Sequence, residues 1–278
     1  METASRATEL LTALQDRLRL ECRVIVAFSG GADSALVAAV AARVLGTGAI
    51  AVTAVSASLP AGERSAARAF AKANRIAHVE VNTDEFERPE YRANGADRCF
   101  HCKSALLDAL APLAAMSGAA IALGTNLDDL GDHRPGQRAA AERGAISPLV
   151  DARLGKADVR QVSALLGLTT ATKPASACLS SRVAYGDQVT PEVLRRIERG
   201  EAALHALGFP VCRVRAHAQG TVARIELPEA DLARASLLRR EIDSAVRTAG
   251  FQFCALDLQG FRSGRMNVLL GTPSVLAR

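Results

Sequence analysis

The chain has 278 residues, of which 49% are hydrophobic and 23% are charged, a balance that is typical of globular proteins and excludes disorder as the main state. No apolar run reaches the roughly 18 residues that span a bilayer, and residues 1–15 lack the basic-then-apolar pattern of a secretion signal. We therefore expect a cytoplasmic protein without a membrane partner. The formal net charge of +5 suits a phosphate-bearing ligand but does not identify one.

In the first half of the chain, short apolar runs alternate with alanine-rich helical stretches. The predicted elements are strands at 23–28, 49–55, 77–81 and 119–123, and helices at 34–45, 63–73 and 103–116. This alternation predicts a Rossmann-like α/β fold with a parallel sheet covered by helices on both faces. Such a sheet binds ligands beyond the carboxyl ends of its strands.

The second half changes character after a break near 148–155. A helix at 156–166 and a polar loop at 169–188 precede a small α+β region. Its predicted elements are helices at 190–207 and 229–248, and strands at 211–217, 221–227 and 251–258. The pattern predicts a first domain at 1–155, a linker helix and cysteine loop at 156–188, and a small α+β domain at 189–278.

The sharpest motif is the loop SGGADS (29–34), which stands between the first strand and the first helix. Gly30 and Gly31 allow the backbone N–H groups to turn toward an anion, and the helix N-terminus adds partial positive charge. Ser29 and Ser34 add hydroxyl donors, and Asp33 is expected to hold a Mg²⁺ ion that bridges phosphates. The loop lacks the Gly-Lys-Ser/Thr ending of a Walker A loop. Between a strand and a helix, SGGxDS resembles the pyrophosphate loop of the PP-loop ATPases, and this resemblance implies an ATP site; the alternative is a tight turn that merely requires glycine.

Further residues of the predicted nucleotide site follow the second and fourth strands. They are Ser56, Gly124, Thr125 and Asn126. The polar groups after the fourth strand are suited to hold ribose, metal or an incoming carboxylate. The next two acids, Asp128 and Asp129, can serve the same site or cap a helix, and the sequence leaves both roles open.

Three of the six cysteines form a separate group. Cys99 and Cys102 form a CxxC motif that leads into a helix, which is typical of a redox dithiol, half a zinc site, part of an iron–sulfur site, or two packed thiols. No second pair at short spacing supports a four-cysteine zinc site. Cys178 lies among small residues and a proline, so we expect it on an exposed loop. The other three are expected in the core: Cys22, Cys212 and Cys254.

The motifs that carry a family resemblance run through nearly the whole chain. In order, they are SGGADS (29–34), DRCFHCKSAL (97–106), GTNLDDLGDHRPG (124–136), KPASACLSSR (173–182), RVRAH (213–217) and LDLQGFRSGRMN (256–267). Together they resemble the LarE family of the PP-loop ATPase superfamily. Its members are the ATP-dependent sulfurtransferases that act on pyridinium-3,5-biscarboxylic acid mononucleotide in the synthesis of the nickel-pincer cofactor.

The resemblance implies a reaction. ATP adenylates a carboxylate of the pyridinium mononucleotide, pyrophosphate leaves, and a sulfur nucleophile displaces AMP to give a thiocarboxylate. Domain 1–155 would bind ATP and Mg²⁺, and domain 189–278 would bind the substrate and form a homo-oligomer. The residues implied to bind the substrate phosphate are Arg182, Arg213, Arg215 and Arg262.

The resemblance also implies that Cys178 is the catalytic, sulfur-bearing residue. In one form of the family this cysteine donates its own sulfur and becomes dehydroalanine. In the other form three cysteines hold a [4Fe–4S] cluster, whose open iron carries a sulfide from a sulfur donor. The sacrificial members lack the CxxC pair, so Cys99, Cys102 and Cys178 favour the cluster form in this chain.

Three alternatives remain. A tRNA-thiolating PP-loop enzyme would share the loop and often a cysteine trio, but a chain with 4% aromatic residues and no added RNA-binding module is a poor RNA binder. An ammonia-dependent, amide-forming enzyme such as NAD synthetase shares SGGxDS but has no use for the cysteines. A non-enzymatic nucleotide-binding module would bind ATP without releasing pyrophosphate.

Overall fold

The computed structural model describes residues 2–130 and 135–262. The described chain divides into two compact units. The first comprises the residues up to 84 together with 99–176, and the second comprises 85–98 together with the residues from 177 onward. Among the described residues, no helix is long and apolar enough to cross a membrane.

The helices of the described chain are numbered in chain order. They are α1 Glu2–Arg19, α2 Ala32–Leu45, α3 Ala61–Ala73, α4 Pro89–Arg92, α5 Arg98–Ser117, α6 Pro135–Glu142, α7 Pro148–Asp151, α8 Lys156–Leu165, α9 Pro191–Ala206, α10 Leu232–Leu237 and α11 Arg239–Thr248. The strands are β1 Val24–Ala27, β2 Ala49–Val55, β3 His78–Asn82, β4 Ala120–Ala122, β5 Arg213–His217, β6 Val222–Glu226 and β7 Phe253–Leu256.

The first unit is built on a four-stranded parallel sheet with the order β3-β2-β1-β4. All four residues of the central strand β1 are buried. Val24 and Val26 join one apolar cluster, whereas Ile25 and Ala27 join another with Leu107 of α5. Because successive strand residues face opposite sides, both faces of the sheet are covered. This confirms the predicted Rossmann-like α/β fold.

The parallel register places the carboxyl ends of β1, β2 and β4 at one edge of the sheet. Helix α2 starts directly beyond β1, and eight consecutive residues, Ser34–Ala41, are buried in it. Six of these eight are alanine or valine, so their small side chains allow close packing of the helix. The first turn of α2 therefore stands at the edge where such sheets bind ligands.

The second unit contains a three-stranded sheet with the order β5-β6-β7. Strands β5 and β6 form an antiparallel hairpin, and β7 runs parallel to β6 after the crossover through α10 and α11. Helix α9 begins as predicted, because the Thr190 side chain accepts a hydrogen bond from Val193 N at 3.2 Å.

One predicted helix is wrong. Residues 229–248 form a 3-10 turn followed by the two separate helices α10 and α11. The break lies at Leu238, whose backbone has φ −93° and ψ 21°. Neither glycine nor proline stands near this position, so no local signal indicates the break.

The expectation that Cys22 lies in the core is also wrong, because this residue is exposed. Residues 2–19 carry no predicted helix. In the structure α1 occupies them and contributes Leu14 and Leu18 to the core. Since α1 ends at Arg19, Cys22 falls in the short exposed connection before β1.

Candidate functional site

The phosphate loop is closed by hydrogen bonds within the motif. The Ser34 hydroxyl accepts from Ser29 N at 3.2 Å and donates to Gly31 O at 3.2 Å. The hydroxyls of Ser29 and Ser34 also share a hydrogen bond of 3.1 Å. Gly30 has φ +74°, and a Cβ there would lie 3.1 Å from the Cβ of Ala67 in α3. The loop therefore requires glycine at position 30, and hydrogen bonds within the motif fix its shape.

The end of β4 abuts the first turn of α2. A Cβ on Gly124 would lie 2.7 Å from Ser34 N and 3.0 Å from Ser34 Cα, so only glycine fits there. The next residue, Thr125, is half-buried, and Asn126 is fully buried. Asn126 Nδ2 donates to Asp33 Oδ1 at 2.9 Å. The structure thus brings the motif after β4 onto the phosphate loop.

Two carboxylates lie beside this contact. Burial raises the pKa of Asp33, and the negative charge of Asp129 raises it further, while the hydrogen bond from Asn126 lowers it. Asp129 is itself buried, accepts from Asn126 N at 3.2 Å and lies 3.4 Å from Lys156 Nζ. A pair of carboxylates that repel each other favours a bound cation.

These oxygens suit Mg²⁺, which binds through one or two carboxylates and keeps water or phosphate oxygens as its other ligands. In the described ranges, no group of three or more His, Cys, Asp or Glu side chains is placed to hold a metal ion. Asp33 and Asp129 therefore fit a metal whose coordination is completed by the nucleotide.

Asp128 has a different role from its neighbour. Its carboxylate accepts a hydrogen bond from Lys156 N, at the first residue of α8. A Cβ on Gly155 would lie 2.7 Å from Asp128 Oδ2, so the preceding glycine leaves room for this contact. Asp128 thus caps α8, which is the structural alternative that the sequence left open.

Ser56 follows β2 at the same edge of the sheet. Its hydroxyl shares a hydrogen bond of 2.8 Å with the Ser58 hydroxyl and accepts from Ser58 N at 3.2 Å. The side chain is half-buried. Ser56 is therefore held in a local turn beyond the strand that neighbours β1.

Lys173 contacts the phosphate loop, although it is not among the predicted nucleotide-binding residues. Its Nζ donates to Gly30 O at 2.9 Å and pairs with Glu63 Oε2 at 2.6 Å. Arg160 of α8 donates a hydrogen bond from Nη2 to Lys173 O at 3.1 Å, which holds the Lys173 backbone. An ammonium group therefore lies against the phosphate loop. No local pattern indicates this contact, because Gly30 and Lys173 are 143 positions apart.

Two of the four predicted phosphate-binding arginines are engaged in ion pairs within the second unit. Arg182 pairs with Glu201 at 3.1 Å, and its side chain is only 3% exposed. Arg215 donates through Nε and Nη2 to Glu226 Oε2, at 3.0 and 2.9 Å. Both pairs are well formed and largely desolvated, so each guanidinium is fixed in place.

Arg213 and Arg262 are placed differently. Arg213 stacks over the Phe261 ring at 5.0 Å and forms no ion pair among the residues that the structure describes. Burial lowers its pKa, and the positive charges of Arg182 and Arg215 lower it further. Arg262 is exposed. Arg213 therefore stands in a local excess of positive charge that favours an anion.

The cysteines of the predicted cluster are free thiols. Cys99 is exposed and Cys102 is half-exposed; both stand in the first turn of α5, in the first unit. Because residues three apart on a helix share a face, this pair can bind one group. Cys178 is exposed in the second unit, directly before the 3-10 turn Leu179–Arg182. Three accessible thiols are the donor chemistry that a [4Fe–4S] cluster requires.

Parts of two motifs that carry the resemblance, residues 131–134 and 263–267, lie outside the described residues. All of the predicted binding and catalytic residues lie within the described residues. The structure joins the phosphate loop with Gly124 and Asn126 in the first unit, and it gathers Arg182, Arg213 and Arg215 in the second.

Comparisons with known proteins show which chains this one is similar to. The family model for asparagine synthase matches residues 7–101, which include the phosphate loop. An uncharacterized protein of Synechocystis sp. is 45% identical over 89% of this chain and 93% of its own. The pyridinium-3,5-bisthiocarboxylic acid mononucleotide synthase of Lactiplantibacillus plantarum is 37% identical over 95% of this chain and 94% of its own. An uncharacterized protein of Methanocaldococcus jannaschii is 27% identical over 87% of this chain and 91% of its own.

The second of these relatives decides the family, since the similarity is well above chance and spans both units. Sequence motifs, sheet topology and phosphate loop agree with it. The chain belongs to the LarE family of PP-loop enzymes and is an ATP-dependent sulfurtransferase.

Proposed function

We propose that this enzyme adenylates a carboxylate of a pyridinium mononucleotide and converts it to a thiocarboxylate, as a step in the synthesis of the nickel-pincer cofactor. One observation carries the proposal: the hydrogen bond from Asn126 to Asp33, which joins the segment after β4 to the phosphate loop. The substrate class comes from the name of the Lactiplantibacillus plantarum relative.

In the first step, an oxygen of the substrate carboxylate attacks the α-phosphorus of ATP. The bond between the α-phosphorus and the bridging oxygen breaks, and pyrophosphate leaves. The N–H groups of the loop and the N-terminus of α2 stabilise the charge of the phosphates. Lys173 lies against the same loop and is suited to neutralise the leaving pyrophosphate.

Asp33 and Asp129 would hold the Mg²⁺ ion of the nucleotide. When bound, the cation would supply positive charge that stabilises the developing charge of the leaving pyrophosphate. In this proposal Ser56, Gly124 and Thr125 line the rest of the nucleotide site, because they follow the two strands that flank β1.

In the second step, a sulfur nucleophile attacks the acyl carbon of the adenylate. The bond from this carbon to the AMP oxygen breaks, AMP leaves, and the thiocarboxylate forms. We place Cys178 at this step, since its thiol is exposed on a loop whose backbone is held by Arg182. The Cys178 thiol itself can attack, and β-elimination from the resulting thioester then leaves dehydroalanine in the chain.

The CxxC pair, Cys99 and Cys102, supports a second source of the sulfur, which is a sulfide held on an iron–sulfur cluster. Cys99, Cys102 and Cys178 would hold a [4Fe–4S] cluster through three thiolates, and the cluster would supply the sulfide, which a sulfur donor would replenish. The residues of the chain fit this group in donor type, redox state and accessibility. In this form Cys178 keeps its sulfur and the enzyme turns over.

We assign the substrate phosphate to Arg213, together with Arg262 and the paired guanidiniums of Arg182 and Arg215. Arg213 has the local excess of positive charge, and a fork of N–H donors suits a phosphate. We also propose that the enzyme acts as a homo-oligomer in the cytoplasm.

The test is a reaction of the purified enzyme with MgATP and the pyridinium-3,5-biscarboxylic acid mononucleotide. We expect AMP and pyrophosphate, and a product whose mass shows exchange of oxygen for sulfur. Asp33→Asn should lower the rate by about 100-fold or more, since loss of even an outer partner of a metal ligand costs about 10–100-fold. Asp16→Asn is the matched control, because Asp16 is exposed on α1 and forms an ion pair with Arg19 of the same helix. Formation of ADP, or thiolation of tRNA instead of the mononucleotide, would contradict the proposal.

A second test separates the two sulfur sources. Protein purified without oxygen should contain about four irons per chain, with matching acid-labile sulfide. Cys99→Ala should remove the iron, whereas Cys22→Ala, at another exposed cysteine, should retain it. A colourless wild-type protein that loses one H₂S in mass during a single turnover would show that Cys178 is the sacrificial donor.

A further inference from the structure

A short segment of the second unit, residues 85–98, contains buried polar side chains that the proposed reaction does not use, and three of them concern the Cys178 loop. Tyr91 is 1% exposed, Asn94 is fully buried, and Arg98 is 5% exposed. Buried polar groups are expensive unless they are hydrogen-bonded. All three side chains have hydrogen-bond partners in the segment that follows Cys178.

Asn94 holds the far part of that segment. Its backbone has φ 57°, which places the side chain in a left-handed turn. Nδ2 donates to Ala184 O at 2.8 Å and to Asp187 O at 3.0 Å. Main-chain bonds run alongside, from Gly186 N to Asn94 O and from Val189 N to Arg92 O.

Tyr91 and Arg98 hold the near part, at Ser180. The Tyr91 hydroxyl and the Ser180 hydroxyl lie 2.6 Å apart, and Arg98 Nη1 donates to Ser180 O at 2.8 Å. Arg98 Nη1 also donates to Asn94 Oδ1 at 2.5 Å, so the three side chains form one network. Ser180 is fully buried, although it stands only two residues after the exposed Cys178.

The Cys178 backbone is held from a second direction. Arg182 Nη1 donates to Ala177 O at 2.6 Å and to Cys178 O at 3.0 Å, and Glu201 fixes this guanidinium. The peptide groups on both sides of the Cys178 side chain are therefore fixed, while its thiol stays accessible. A fixed backbone with an exposed reactive atom is the arrangement that a positioned nucleophile requires.

We propose that Tyr91, Asn94 and Arg98 are positioning residues that fix the Cys178 loop for the sulfur step. The proposal rests on the function proposed above, in which Cys178 bears or holds the sulfur. It assigns the segment 85–98 a role in the second step alone, since its contacts with the loop lie outside the unit that contains the phosphate loop.

The test uses Tyr91→Phe and Arg98→Met in the full-length enzyme. Tyr91→Phe removes one hydroxyl at nearly constant volume, and Arg98→Met removes the guanidinium but keeps an apolar stem. Arg195→Met is the matched control, because Arg195 is an exposed arginine of the same unit that pairs with Glu192. Four quantities are measured: the melting temperature, substrate-dependent pyrophosphate release, thiocarboxylate formation, and, in the iron-free protein, the alkylation rate of Cys178 relative to Cys22.

We expect both variants to release pyrophosphate nearly as fast as the wild type and to form thiocarboxylate at least about tenfold more slowly, since misplacing a reacting group by roughly 1 Å can reduce a rate by about 100-fold. Cys178 should be alkylated several-fold faster because its loop is released, while the rate at Cys22 stays constant. Arg195→Met should leave all four quantities unchanged.

Equal loss of both steps in parallel with the melting temperature would overturn the proposal, because it would show a structural role only. Unchanged thiocarboxylate formation in both variants would overturn it as well. A third outcome separates the two proposals. If the wild type forms no thiocarboxylate but Cys178 alkylation still rises in the variants, the contacts of Tyr91 and Arg98 do fix the Cys178 loop, and the proposed reaction is overturned.

Discussion

At the scale of single residues, identical side chains in this enzyme take roles that their partners decide. Asp128 caps α8, whereas its neighbour Asp129 lies beside Asp33 and Lys156. Likewise, Arg215 is fixed by Glu226, whereas Arg213 forms no ion pair in the described part of the chain. A charged side chain without an ion-pair partner among those residues, such as Arg213, is therefore the one suited to bind a charged ligand.

The raised pKa of Asp33 leads to a prediction about stability. In the ligand-free protein the folded state binds a proton on Asp33 more tightly than the unfolded state does. Asp33 therefore contributes less to the free energy of unfolding as the pH rises. The loss begins near the ordinary aspartate pKa and is complete above the raised pKa of the folded state. Asp33→Asn should thus stabilise the ligand-free protein at about pH 7, and this gain should shrink toward about pH 4.

Urea unfolding of both proteins across this pH range measures the effect. MgATP should reverse the order, because it stabilises the wild type by binding only the folded state, whereas the neutral amide of the variant cannot ligate the cation as a carboxylate does. A ligand-free Asp33→Asn protein that is less stable than the wild type at neutral pH would show that the hydrogen bond with Asn126 outweighs the burial of the charge.

At the scale of elements, the ends of β1 and β4 are tied to the first turn of α2. Gly124 permits the close approach, and Asn126 links the two segments through Asp33. Lys173 adds a third segment, from the connection after α8. The proposed nucleotide site is therefore a junction of three chain segments around one helix N-terminus.

Gly124→Ala tests this junction. A Cβ at Gly124 meets backbone atoms of Ser34, which cannot move without shifting α2, so we expect a loss of about 1–3 kcal/mol in stability, as in overpacked cores. ATP affinity should fall as well. Gly62→Ala is the matched control, because a Cβ on Gly62 in α3 meets nothing within 4 Å. It should leave ATP affinity unchanged and, since alanine favours a helix over glycine by about 0.5–1 kcal/mol, should not reduce stability.

Urea unfolding and isothermal titration with ATP give the two quantities. Wild-type ATP affinity in Gly124→Ala would contradict the junction as the basis of the nucleotide site.

At the scale of the whole molecule, the six cysteines separate by burial. Burial raises the pKa of Cys212 to about 12 and that of Cys254 to about 11. These thiols remain protonated at neutral pH and are poor nucleophiles. The exposed thiols are Cys22, Cys99 and Cys178.

Iodoacetamide should therefore alkylate the three exposed cysteines of the iron-free native protein first and leave Cys212 and Cys254 unmodified. In urea all six should react, because unfolding removes the burial. Peptide mass spectrometry at several times measures each site. Reaction of native Cys212 as fast as Cys22 would contradict this assignment.

Much of the fold was predictable from local pattern. The four parallel strands follow from apolar runs, and the phosphate loop follows from two glycines between a strand and a helix. The break at Leu238 and the exposure of Cys22 were not predictable, since neither has a signal in neighbouring residues. Both depend on where the chain packs after the local elements have formed.

The sequence by itself determined the α/β fold, the family and the ATP loop, because strand periodicity, glycine turns and helix starts are properties of adjacent residues. Only the tertiary structure decided which side chains meet: Lys173 with Gly30, Asn126 with Asp33, and Asn94 with Ala184. The residues of these pairs are 143, 93 and 90 positions apart. The physical reason is that a hydrogen bond depends on distance in space, which a linear order of residues does not contain.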